Sequence, residues 1–153
     1  MQTLELQIPP PAVTLLMASA MWGVTWVAPS LEVPAFPRIT VAIAIALVGF
    51  GFALAGIVSF RRAKTTVNPK KPSNATSLVS SGIYRVTRNP MYVGLLFVLV
   101  AWAVFLSCVW ALLGPLAFVL YMSRFQISPE ERALAAMFSS EYSSYKEKVR
   151  RWL

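Results

Sequence analysis

From Ile39 to Phe60 the chain runs for about 22 residues without a charged side chain, enough for a helix rising about 1.5 Å per residue to cross a hydrocarbon core about 30 Å thick. In lipid every backbone N–H and C=O must find its partner within the protein, so such a stretch restricts the chain to helices or a closed barrel. Composition supports helices in a bilayer: 57% of the 153 residues are hydrophobic and 13% are charged. That is too apolar for a soluble domain and too short for two, so residues 1–153 read as one all-α membrane domain.

The net charge is +8. In a soluble chain it would suggest nucleic acid, but here the Lys and Arg residues gather beside apolar segments, where they read as cytoplasmic loop charges and contacts to membrane lipids. No nucleic-acid partner is expected. The chain has no His and a single Cys, Cys108, so an internal disulfide is impossible and a metal site has almost no ligands. Ala18-Ser19-Ala20 imitates a signal-peptide cleavage site, but no Lys or Arg precedes it and the apolar run continues through Trp22 and Trp26, so no cleavage is expected.

Four transmembrane helices follow from the apolar pattern. Residues 1–60 hold two, a short one from Ala12 to about Ala28 after Pro9-Pro10-Pro11, and a second from about Arg38 to Phe60. Gly49, Gly51, Ala53 and Ala55 supply the second with small residues four apart, which permit close packing. Residues 61–90 carry Arg61, Arg62, Lys64, Lys70, Lys71, Arg85 and Arg88 with no acid, which marks a cytoplasmic loop. Residues 91–125 are long enough for two short spans that turn back near Ser107 or Cys108, a helical hairpin. Residues 128–153 predict an amphipathic helix on the cytoplasmic surface, with Ser128 as cap, Pro129 at its first position and Glu130 and Glu131 in its first turn. Both termini are then cytoplasmic.

Two polar strips interrupt this pattern. Leu78 to Gly94 is rich in hydrogen-bond donors and leads directly into the third span, and Glu130-Glu131 follows the fourth. Taken singly, the first reads as a basic, aromatic interface anchor and the second as acids favouring a helix N-terminus. A tight hairpin brings them face to face at the membrane surface, with cations and amides on one side and carboxylates on the other. Such a pair suits a zwitterion like S-adenosylmethionine, which needs donors for its carboxylate and acceptors for its ammonium and ribose hydroxyls.

The residues of these strips resemble the isoprenylcysteine carboxyl methyltransferase and phospholipid methyltransferase superfamily of membrane enzymes. The resemblance runs from about Thr65 to Trp152. It rests on Thr65-Thr66-Val67-Asn68-Pro69, Leu78 to Tyr84, Arg88-Asn89-Pro90-Met91-Tyr92-Val93-Gly94, and Glu130-Glu131-Arg132-Ala133-Leu134 with Phe138, Glu141-Tyr142, Tyr145 and Val149-Arg150-Arg151-Trp152. It implies an S-adenosylmethionine-dependent methyltransferase acting on a lipophilic small molecule or lipid at the cytoplasmic face. Thr76, Ser77, Leu78, Val79 and Tyr84 would then surround the adenine, and Asn89, Pro90, Met91 and Tyr92 would line the methionine part. Glu130 would hold polar atoms of the cofactor, Glu131 would lie beside it or at the surface, and Arg88 would support the carboxylate or the fold. Glu130 and Tyr92 are the candidates for a catalytic group in a reaction that depends mainly on cofactor placement. No metal is implied.

Two positions depart from the family pattern. Asn89 stands where the family's Arg-His-Pro-x-Tyr has its His, and an amide can still donate to a carboxylate. Gln126 stands four residues before Glu130, where carboxyl methyltransferases acting on prenylcysteine place an Arg. Arg124 is a second candidate for contact with substrate, but two residues along a helix turn a side chain by about 200°, so it is no simple replacement. The acceptor thus stays open between carboxylate, amine and thiol, as does the oligomeric state. Two other classes remain: a non-catalytic scaffold descended from such an enzyme, and a small four-helix exporter. The exporter lacks the ionisable residue within a span that proton coupling needs. The chain's style suggests a bacterial inner membrane.

Overall fold

The computed structural model describes residues 5–63 and 78–153, and these contain helices and turns but no strand. Helix α1 spans Pro10–Val24 and α2 spans Ala35–Arg62. A single 3-10 turn at Gly82–Arg85 precedes α3, Pro90–Leu106. The chain then reverses through Ser107, in left-handed conformation with φ 51°, and Cys108, which is extended. A 3-10 turn at Val109–Leu112 leads into α4, Leu113–Tyr121. Beyond it, a π-helical stretch, Met122–Ile127, continues without a break into α5, Ser128–Lys148.

Two of these helices are long and apolar enough to cross a membrane: α2, with 28 residues, and the continuous Val109–Lys148 helix, with 40. The other two apolar helices, α1 and α3, are shorter. Proline marks the start of α1 and of α3, where the missing N–H has no helical partner to lose. Trp22 and Trp26 stand exposed around the end of α1, ring against ring at 5.1 Å, as interfacial aromatics do.

Glycine governs the contact between α2 and α3. A Cβ placed on Gly49 would come within 2.7 Å of the Gly94 carbonyl oxygen, and one on Gly94 within 2.7 Å of that of Gly49. Ala53 lies against Gly94 and Gly56 against Met91, while Phe52 and Phe97 stack at 5.8 Å. The working stripe is therefore Gly49, Ala53 and Gly56. Gly51 faces open space.

The apolar core is built from Val13 and Met21 of α1, Leu99 and Ala103 of α3, Phe118 of α4, and Met122 and Ile127 of the π stretch. A second cluster lies apart from it: Val79, Tyr84, Tyr142, Tyr145 and Val149, with Phe60, Leu134 and Phe138 packed against them. This cluster joins the segment before α3 to the far half of α5, which bends at Ser139 (φ 24°, ψ −99°).

Two boundaries differ from the sequence-based expectation: α1 ends at Val24, short of Ala28, and the fourth span does not stop before Ser128. Ser128 does not cap a new helix; its own backbone is helical, and its hydroxyl donates to the Ser123 carbonyl at 2.7 Å. Pro129 lacks the N–H that would return to Phe125. Instead of ending the helix, this loosens it: the Phe125 carbonyl accepts the Leu6 N–H at 3.1 Å, and the turn widens into π geometry.

Replacing Gly49 with Val should force α2 from α3 and lower stability by about 1–3 kcal/mol, read as a drop in the thermal unfolding midpoint in detergent. Gly51→Val should leave the midpoint unchanged, because nothing lies within 4 Å of that position.

Candidate functional site

The start of α3 and the π-to-α5 junction meet around two adjacent acids whose side chains point different ways, as successive helical residues do. Glu130 turns toward α3. Its Oε1 accepts the Tyr92 hydroxyl at 2.6 Å and the Gln126 side-chain amide at 2.6 Å. Gln126 is 3% exposed and sits in the π stretch, one i+4 step before Glu130. Arg124, two residues earlier, is exposed on another side.

Burial pushes the Glu130 carboxyl up to about 7 from its ordinary value of 4.5, against the opposing hydrogen bonds from Tyr92 and Gln126, while the nearby Glu131 charge adds to the rise. No cation of the described residues forms an ion pair with it. Tyr84 lies close enough for Glu130 to act on its ionisation; burial first, then Tyr145 and Glu130, hold its hydroxyl well above the ordinary range. Tyr92 and Glu130, which the sequence places in one site, therefore meet directly, while Tyr84 lies in the second cluster.

Glu131 turns the other way, into a pair of guanidinium groups. Arg88 Nη2 donates to its Oε1 at 2.8 Å, and Arg151 donates through Nε to Oε1 at 3.1 Å and through Nη2 to Oε2 at 2.6 Å. The Glu131 side chain is only 11% exposed. Arg88 also donates from Nη1 to the Lys146 and Val149 carbonyls at 3.0 and 3.1 Å, where it caps the C-terminal end of α5 with positive charge. Its Nε is buried with no hydrogen-bond partner among the described residues.

Asn89 plays a part that its sequence position does not suggest. Its side-chain amide donates to the Arg151 carbonyl at 2.8 Å, and the Thr87 hydroxyl donates to the same oxygen at 3.2 Å. Pro90 is buried at the start of α3, and Met91 is half-buried against α2. Of the adenine-side residues, Val79 and Tyr84 are buried in the second cluster with Leu78 beside them. Thr76, Ser77 and the Thr65-to-Pro69 part of the resemblance lie outside the described residues.

An open groove of about 430 Å³ runs between this segment and the far half of α5, with Leu78, Ser80, Arg85, Glu141, Tyr145 and Val149 among its walls. It shares Leu78 with the expected site but not Glu130 or Tyr92. Among the described residues no group of three metal-ligating side chains comes together. Sequence reasoning missed Thr87 and gave Arg151 no role. A basic residue near the chain's end with a buried acid to meet was the available signal, but a contact over 20 residues of sequence is invisible without the fold.

The model of the phospholipid methyltransferase family matches residues 37–141 of the chain. A protein of Haemophilus influenzae described only as uncharacterized is 48% identical over 63 residues, which make up 41% of this chain and the whole of that protein. No solved structure matches.

Because Glu130 holds its proton more tightly in the folded chain than in the unfolded one, the stability it contributes is complete below pH 4.5 and is lost as pH rises to about 7. Glu130→Gln should therefore unfold at the same temperature as wild type near pH 4 and at a higher one at pH 8, in thermal melts in detergent.

Proposed function

The chain belongs to the phospholipid methyltransferase family, and from that premise we propose that it transfers a methyl group from S-adenosylmethionine to a lipophilic acceptor at the cytoplasmic face of a membrane. The observation that carries this reading is the buried cluster of Glu130, Tyr92 and Gln126 at the polar end of the helices. A desolvated carboxylate, braced by a phenol and an amide and free of any ion pair among the described residues, is an acceptor prepared for a cationic or hydroxyl-bearing ligand.

The side chains fit the cofactor's chemistry. Glu130 would accept from its ammonium or ribose hydroxyls, and the orphaned Arg88 Nε is a buried donor of the kind a carboxylate satisfies. Leu78, Val79 and Tyr84 would lie on the adenine side, together with Thr76 and Ser77, and Pro90, Met91 and Tyr92 on the methionine side. When bound, the cofactor supplies a methyl group already activated by its sulfonium. What remains for the protein is to align the acceptor and exclude water, and burial of Tyr92 and Glu130 serves both ends. Glu130 is also the group nearest to hand for taking a proton from an ammonium acceptor.

The neighbourhood of Glu130 favours an acceptor without negative charge. Gln126 donates a neutral amide where a carboxylate substrate would require a cation, and Arg124 faces away. An amine or thiol on a lipophilic body suits this site better than a prenylcysteine carboxylate.

The same reading gives four spans, α1, α2, α3 and Val109 to about Met122, with both termini in the cytoplasm of a bacterial inner membrane. Arg61 and Arg62 end α2, Arg85 and Arg88 precede α3, and the lead-in reaches the same end through Glu5, paired with Arg132. Basic residues gathered at one end support a cytoplasmic placement.

Isothermal titration of the detergent-purified protein with S-adenosylmethionine and S-adenosylhomocysteine tests the proposal. Wild type should bind both, and Glu130→Ala should bind neither while remaining folded. Well-folded wild type that binds neither would replace the enzyme with a non-catalytic membrane scaffold.

A further inference from the structure

The residues after α5 fold back over the chain as a strap. Helical geometry stops at Lys148, and Val149 is extended. The Arg150 carbonyl accepts the Arg88 N–H at 3.0 Å, the Arg151 carbonyl accepts from Asn89 and Thr87, and the Trp152 indole donates to the Ser123 hydroxyl at 3.2 Å. Main-chain carbonyls thus hold the strap against the start of α3. They leave the Arg151 side chain free for another task.

That side chain reaches the first turn of α5. Its two donors engage both oxygens of Glu131, a fork-to-fork contact that fixes the plane of the carboxylate, whereas Arg88 touches one oxygen. The turn needs such a hold. It follows a π stretch and a proline without an N–H to give, so its rotation relative to α4 is held less firmly than in an uninterrupted α-helix. Glu130 is one residue away, about 100° around the helix, so fixing Glu131 fixes the direction of Glu130.

We propose that Arg151 is a positioning residue: through Glu131 it locks the rotation of the first turn of α5 and so aims Glu130 at Tyr92, Gln126 and the ligand. This rests on the reading of Glu130 as a cofactor-binding group. The strap is then part of the site rather than a loose end, and the chain's last residues govern cofactor affinity without touching the cofactor.

Arg151→Gln separates this role from simple folding, because the Arg151 carbonyl and its bonds to Asn89 and Thr87 persist whatever the side chain. Titration of full-length variants with S-adenosylmethionine in detergent should show an affinity about tenfold weaker for Arg151→Gln, with an unfolding midpoint close to that of wild type. Arg151→Lys should fall between the two, because a point charge restores the attraction but not the fork. Wild-type affinity in a folded Arg151→Gln protein, alongside lost binding in Glu130→Ala, overturns the positioning role and spares the cofactor site. Absence of binding to wild type overturns both. Should Arg151→Gln not fold, Arg151→Lys decides: affinity about threefold weaker supports the role, and unchanged affinity overturns it.

Discussion

The carboxylate of Glu131 lies where three distant stretches of chain meet: the approach to α3 through Arg88, the first turn of α5, and the strap through Arg151. Taking these charges out of water costs several kcal/mol per ion, and the cost is offset only when geometry and further hydrogen bonds are good. Here they are. Five donor contacts from the two arginines are accounted for, three on Glu131 and two on helix-end carbonyls. The remaining Arg88 Nε is the exception, a buried donor that the described residues leave unmet.

This arrangement divides labour between neighbours in sequence. Glu131 receives charge and holds the fold together, while Glu130 receives only neutral donors and is left poised near neutrality by burial. One residue of rotation separates an acid held by arginines from one held by neutral donors. The π stretch Met122–Ile127 carries both residues upstream of this pair: Gln126, buried beside Glu130, and Arg124, exposed. The lead-in takes part too, as Leu6 satisfies the Phe125 carbonyl at the same junction.

The apolar and polar parts of the molecule were legible in the sequence to different degrees. The long charge-free run that became α2 follows from hydropathy alone, and so does the reversal at Ser107 and Cys108, because a stretch too long for one crossing must turn. The meeting of Tyr92 with Glu130 was also foreseeable from a hairpin that returns to its starting side. The role of Asn89 was not. Motif position suggests a ligand contact for it and leaves Arg88 open between ligand and fold, yet the Asn89 amide and the Arg88 Nη1 bind carbonyls some 60 residues later, and no local pattern announces such contacts. Ser128 misled for a related reason, since Ser-Pro-Glu-Glu reads as a helix start wherever it stands, and only the continuity of α4 makes it a helix interior.

Sequence alone determined that this chain must bury its backbone in helices, that most of its basic residues gather beside its apolar segments, and which family its motifs belong to. These follow from length, hydropathy and residue type, quantities that each residue carries by itself. Tertiary structure decided which of two adjacent acids meets Tyr92 and Gln126 and which meets arginine, which glycines of α2 meet α3, and what the residues after α5 bind. These depend on rotation about a helix axis, and rotation is set by contacts between residues far apart in the chain.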